Sequence, residues 1–199
     1  AVRRAALDDP ARVTRIEDPR LLTEGGRYTA DLREPALEGA VHATFLRSTV
    51  AHALVVGVDV VEARSLPGVV DVVTGAEVDL PPVPGVTNRA MARPLLAADR
   101  VRFVGEPVAV VLSETPEQGA DAAAWVVVDY EPLPVVVDPV EGLASEAILF
   151  PELGSNLVAT FGEEGGDGVP GRAAGCDVVV RQRIVNQRLA AAPLEGRSS

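Results

Sequence analysis

The sequence predicts an α+β fold, and three observations carry that expectation. Two apolar runs rich in β-branched residues, 108–112 and 126–128, flank a segment with helical spacing. They are too short for buried helices and read as strands buried on both faces. Strand-like stretches elsewhere are also short, and this is the one clear strand–helix–strand unit, which argues against a doubly wound parallel sheet.

Residues 1–20 alternate charge and Pro and read as an arm laid over another surface. Gly25 and Gly26 supply a turn ahead of a short strand containing Tyr28. Residues 41–47 alternate loosely, predicting a strand, and residues 53–58 a second one after the connector 48–52. Asp59 stands where it can cap a short helix with Glu62 three residues on, and Pro67-Gly68 stops that helix after Leu66. Residues 69–73 then read as a strand. Residues 75–92 form a Pro- and Gly-containing loop long enough that it is expected to cover or touch something.

Within the central unit the helix has a strong start signal. Thr115 is the N-cap, Pro116 takes the first helical position, and Gln118 completes a capping box. Ala120, Ala123, Ala124 and Val127 recur at helical spacing, a face that could lie on the sheet. Asp129, Pro132 and Pro134 interrupt the chain after the second apolar run, and residues 135–137 resume as an extended piece. Beyond Val140 the repeating pattern is lost. Residues 150–156 are irregular, 157–161 a short strand, 162–171 an acidic glycine-rich loop, and 178–185 a strand with Val178, Val180 and Ile184 on one face and Arg181 and Arg183 on the other. The expected organisation is an arm at 1–20, a domain at 21–138, and a linker with an incomplete second domain at 139–199.

Composition excludes several classes. Of 199 residues 47% are hydrophobic but only 4% aromatic, so the core is built from Val, Leu and Ala. A net charge of −11 without a basic block makes nucleic acid or an anionic membrane a poor partner. No apolar run approaches the roughly 20 residues that span a bilayer. The N-terminal residues carry no apolar segment of the kind a secretory signal needs, so cytoplasm is the default. A single cysteine, Cys176, precludes an internal disulfide and reads as an inert thiol.

No self-contained active site is legible, and no catalytic, cofactor-binding or metal-binding residue is assigned. Gly166, Gly168 and Gly171 spell G-x-G-x-x-G, but Pro170 lies inside it, no full helix comes after it, and Glu163, Glu164 and Asp167 crowd the place of an anion. A solvated loop is the better reading. His42 and His52 have no ligand at metal spacing and read as partly buried, hydrogen-bonded histidines. Asp129 and Glu131 share one strand face, as a solvated edge more readily than an acid–base pair. Gly105-Glu106-Pro107 reads as a tight turn, with a pocket wall as the sharper alternative. There is no G-x-S-x-G and no Lys for a phosphate loop.

The run from Asp99 through Val104-Gly105-Glu106-Pro107 to Val111, continuing at Val128-Asp129-Tyr130-Glu131-Pro132, resembles the large subunit of molybdenum hydroxylases. That family comprises xanthine dehydrogenase, aldehyde oxidase and aerobic carbon monoxide dehydrogenase. Further similar pieces stand in family order: Glu17-Asp18-Pro19-Arg20, Gly26-Arg27-Tyr28, Ala51-His52-Ala53, Leu66-Pro67-Gly68, Leu153-Gly154-Ser155-Asn156 and Asn186-Gln187-Arg188. The resemblance implies an α/β-hammerhead domain over about 21–135, followed by the first part of a molybdopterin-binding domain. It implies a full-length enzyme using molybdopterin cytosine dinucleotide with molybdenum, and partner subunits carrying 2Fe-2S clusters and FAD. Such enzymes oxidise aldehydes, purines or carbon monoxide. The family's cofactor loops and catalytic glutamate match no position here, so the chain is expected to be catalytically incomplete by itself, and possible self-association stays open. A different class remains open beside it: a stand-alone binding or assembly module that keeps the hammerhead fold without redox activity.

Overall fold

Strand β5 (Pro107–Ser113) is the axis of the architecture. A computed structural model of the chain describes residues 16–26, 28–29, 32, 34–161, 175–180 and 182–185. Residues 39–179 form one compact unit, and the described residues among 1–38 and 180–199 belong to another. The smaller unit contains helix α1 (Asp18–Thr23), opened by Pro19, and a 3₁₀ turn at Pro35–Leu37. Tyr28 is not in a strand, contrary to expectation.

The larger unit runs β1 (His42–Arg47), β2 (Ala53–Asp59), α2 (Val61–Ser65), β3 (Val69–Thr74), β4 (Arg100–Val101), β5, α3 (Pro116–Ala123), β6 (Val127–Pro132) and α4 (Pro139–Ala144). Two three-stranded sheets result, ordered β1-β5-β3 and β4-β2-β6, and every pairing is antiparallel. Phe45 and Val73 both register on Val110, one from each side of β5.

The strand–helix–strand unit therefore corrects one expectation. Its two strands lie in different sheets, because β1 and β3 already occupy both edges of β5, so β6 pairs instead along β2. As an edge strand, β6 alternates exposed and half-buried residues rather than being buried on both faces. It continues through Asp129 to Pro132, where a proline is tolerated because an edge needs no donor on its outer side.

The helix start is realised in full. Thr115 Oγ1 accepts from the Gln118 amide at 3.3 Å, and Gln118 Oε1 accepts from the Thr115 amide at 3.0 Å. The buried face differs from the predicted one. Gly119 and Ala122 face inward, while Ala120, Ala124 and Val127 are exposed. A Cβ on Gly119 would collide with Thr44 Oγ1 and come within 2.6 Å of Ser113 Oγ. The missing side chain is what lets α3 lie so close to the β1–β5 surface.

Strands β1, β2, β3 and β5 come out near their predicted limits, and α2 stops at Leu66 as expected. Its N-cap is Val60, although Asp59 Oδ1 does accept from the Val61 amide at 3.0 Å. The strand expected at 157–161 is absent, and the described residues of 178–185 are not in a strand. The glycine-rich loop 162–171 lies outside the described residues.

Two apolar clusters make up the core. Val60, Ala63, Val72, Val111, Ala122 and Val126 form one, and Ala53, Ala97, Val101 and Val108 the other. Strand β5 contributes to both, and half-buried Val58 and Val128 pack against both. Each fully buried Val contributes about 1.5–3 kcal/mol relative to exposure.

Candidate functional site

The long loop between β3 and β4 is pinned at both ends. Thr74 and Glu77 form a capping box at the 3₁₀ turn Gly75–Glu77, and Arg64 Nη2 donates to Glu77 Oε1 at 2.6 Å. That guanidinium contact, with the Thr74 amide and hydroxyl, holds the Glu77 carboxyl down at about 2. Gly75 has no room for a side chain, since a Cβ would lie 2.6 Å from Ala97 O. Further on, Val83 and Arg93 exchange two backbone hydrogen bonds, of 2.7 and 2.9 Å, and close residues 83–93 into a fold-back.

This fold-back faces Arg102 and Phe103, just after β4, and Phe150 and Val158. Together they enclose an open groove of about 420 Å³. Arg93 lies over the Phe103 ring at 5.0 Å and Arg102 over Phe150 at 4.9 Å. A guanidinium on an aromatic face gains roughly 0.5–1 kcal/mol and loses orientational freedom. Arg102 is held further: Nε donates to Leu149 O at 3.1 Å and Nη1 to Arg100 O at 3.3 Å.

Beneath them sits Glu106, only 2% exposed. Gly105 adopts φ +93°, a conformation glycine reaches without a Cβ clash, and so turns Glu106 inward. The turn is tied to the β1–β2 connector, with Ser48 N donating to Glu106 O and Gly105 N to Ser48 O, both at 2.8 Å. Glu106 Oε2 accepts from the Arg102 amide at 2.5 Å. Oε1 is buried with no hydrogen-bond partner, and Arg93 Nη1 lies 4.0 Å away. Burial pushes this carboxyl above its usual range, against the Arg102 amide bond and the charges of Arg102 and Arg93. The tight turn predicted at 105–107 is present, but none of its residues lines the groove; Glu106 reaches it only through Arg93 and Arg102.

The other candidates scatter. His52 is buried and hydrogen-bonded, as predicted: Nδ1 is 2.7 Å from Pro134 O and Nε2 is 3.0 Å from Arg100 Nη1. His42 is exposed on the edge strand β1, contrary to expectation. Asp129 and Glu131 lie exposed on the edge strand β6, the solvated-edge arrangement. Cys176 is exposed. Gly166, Gly168 and Gly171 lie outside the described residues. Among the described residues, no group of three or more His, Cys, Asp or Glu is placed to hold a metal ion. Nor does any described helix have the length and apolarity to cross a membrane. Sequence reasoning missed Arg93 and Arg102 as a pair; the one available signal was the placing of each arginine within ten residues of Phe103 beside a long loop.

Comparison with known proteins is consistent with this fold. The family described as "Aldehyde oxidase and xanthine dehydrogenase, a/b hammerhead domain" matches residues 23–134. Subunit gamma of the 6-hydroxypseudooxynicotine dehydrogenase complex of Paenarthrobacter nicotinovorans is 37% identical, over 94% of this chain and 24% of its own length. The nicotine 6-hydroxylase large subunit of the same organism is 36% identical, over 94% of this chain and 23% of its own. Among solved structures, quinoline 2-oxidoreductase from Pseudomonas putida 86 superposes with a TM-score of 0.64 at 41% identity, covering 74% of this chain and 19% of that one. The chain thus spans about a quarter of the length of these curated relatives. On its antiparallel double sheet and these likenesses together, the chain belongs to the aldehyde oxidase and xanthine dehydrogenase family and carries that family's hammerhead domain.

Proposed function

We propose that the chain serves as the hammerhead-bearing part of a molybdenum hydroxylase large subunit whose assembled enzyme hydroxylates a nitrogen heteroaromatic carbon. The observation that carries this is the extent of likeness, 94% of the chain, to two relatives named for nicotine and a nicotine derivative. The quinoline enzyme points the same way. In this reading residues 1–20 are an arm, 21–138 the hammerhead domain and 139–199 a linker with the first part of a molybdopterin-binding domain. Iron–sulfur and FAD subunits are its partners, and the assembly works in the cytoplasm.

The residues here do not fit the molybdenum cofactor. Among the described residues, the acid within 4.0 Å of Arg93, Glu106, is buried with one oxygen committed to a backbone amide, and the lining cations are two arginines, which are not metal ligands. No reaction step is therefore assigned to this chain's side chains. Its role is to build a rigid double sheet against which a cofactor-bearing region packs.

The test is a pair of measurements. The purified chain should hold no stoichiometric molybdenum and should not reduce a dye with nicotine, quinoline or an aldehyde as donor. The same chain, put in place of the matching quarter or so of the nicotine 6-hydroxylase large subunit and expressed with its partners, should recover both. Stoichiometric molybdenum and turnover in the isolated chain would overturn the proposal.

A further inference from the structure

The groove has a chemistry that its place in a scaffold does not require. Arg93 lines it with a side chain 46% exposed. Its backbone is pinned to Val83 and its guanidinium rests over Phe103, yet the guanidinium makes no hydrogen bond among the described residues. Across the groove, Arg102 has Nε and Nη1 on backbone carbonyls, which fixes its plane and leaves Nη2 without a partner among the described residues. Asn88 also lines the groove. Its Oδ1 accepts from the Ala90 amide at 3.1 Å, which leaves the amide nitrogen to donate. Thus donors, two of them on positive groups, converge on one concavity in a chain of net charge −11. Between them the lining is apolar: Val86 is fully exposed, and Val158 is about half exposed.

We propose that this groove is a carboxylate-binding site for a small monocarboxylate with an apolar body. Arg93 supplies a charge with no hydrogen bond of its own among the described residues, Arg102 the fixed second donor, and Val86, Met91 and Val158 meet the apolar part. Planar guanidinium donors suit a carboxylate, and orientation on an aromatic ring lowers the ordering cost of the contact. A second observation bears on the charge. The acid nearest Arg93, Glu106, is buried with Oε1 unpartnered 4.0 Å from Nη1, so it competes for Arg93 without occupying it through a hydrogen bond. Asp99, Arg93 and Arg102 are the other charges that act on Glu106.

The inference goes beyond the scaffold role and is tested without molybdenum, so its failure would leave that role standing. Isotope-labelled full chain is titrated at neutral pH and low salt with sodium benzoate, and separately with benzamide, inorganic phosphate and a short glutamate-containing peptide. Benzoate should give saturable shifts at the Asn88, Met91 and Arg93 amides and bind about tenfold more tightly than benzamide. Arg93→Gln, at a half-exposed position, should keep the spectrum of the folded chain and weaken benzoate about tenfold. Glu106→Gln should tighten it, since the competing charge is gone. Equal binding of benzoate and benzamide, or an unchanged Arg93→Gln, would show that Arg93 is only the counter-ion of Glu106 and would overturn the site. Tighter binding of phosphate or of the peptide than of benzoate would overturn the ligand class.

Discussion

Arg100 Nη1 lies 3.0 Å from His52 Nε2, while His52 Nδ1 lies 2.7 Å from the carbonyl oxygen of Pro134. A guanidinium only donates and a carbonyl only accepts, so the imidazole is held with its proton on Nδ1. That bridge ties the segment after β6 to β4, two strands that sit on opposite sides of β2. His52→Ala should cost about 1–3 kcal/mol, because the Pro134 carbonyl and the Arg100 guanidinium each lose a partner. The shift in urea unfolding midpoint measures it, and an unchanged midpoint would make the bridge incidental.

Glu106 gives the chain a pH dependence of defined sign. Burial raises its carboxyl in the folded state above 4.5, so the folded chain binds the proton more tightly than the unfolded chain does. Its contribution is complete below 4.5 and is lost as pH rises through the elevated folded value. Wild type should therefore lose stability relative to Glu106→Gln as pH rises from mildly acidic to neutral. Denaturant titrations of both proteins across that range read the difference directly, and parallel curves would contradict it.

Glu77 acts in the opposite direction. Its carboxyl is held at about 2, against 4.5 ordinarily, first by the Arg64 hydrogen bond and then by the Thr74 amide and hydroxyl. This stabilisation is present above 4.5 and lost as pH falls towards 2. The carboxylate is about half exposed, so solvent screening keeps the contribution of the Arg64 contact small. Glu77→Gln should be less stable than wild type at neutral pH and converge with it in acid, as thermal melts across the window will report.

Gly119 separates intrinsic helix preference from packing. Alanine is favoured over glycine inside a helix by about 1 kcal/mol. Here the new methyl group would strike Thr44 Oγ1 and Ser113 Oγ, so Gly119→Ala should destabilise, by about 1–3 kcal/mol. The neighbouring exposed position supplies the control, since Ala120→Gly should cost about 1 kcal/mol from propensity alone. Stabilisation by Gly119→Ala would mean that α3 does not pack so closely.

Legibility tracks the range of the interactions. Thr115-Pro116-Gln118 announces α3 because a capping box is made within four residues. Asp138-Pro139 carries a related signal for α4, with Asp138 Oδ1 accepting from the Val140 and Glu141 amides, although sequence reasoning missed it. The alternation at 178–185 specifies a face but not which edge would pair with it, and its described residues form no strand. The inward face of α3 differs from the predicted one because alanine spacing marks where a helix is apolar, whereas its approach depends on the one residue without a side chain.

By itself the sequence determined where the chain turns and stops, that β5 would be buried on both sides, and the family to which the chain belongs. Those properties reside in neighbouring residues or in their order. Only the tertiary structure decided that β6 leaves its helical neighbour's sheet to pair with β2, and that Glu106 ends beneath Arg93 while Arg102 reaches Phe150. Each of those outcomes joins groups distant in the chain, and depends on which strand edge or aromatic face is still open once the nearer contacts have formed.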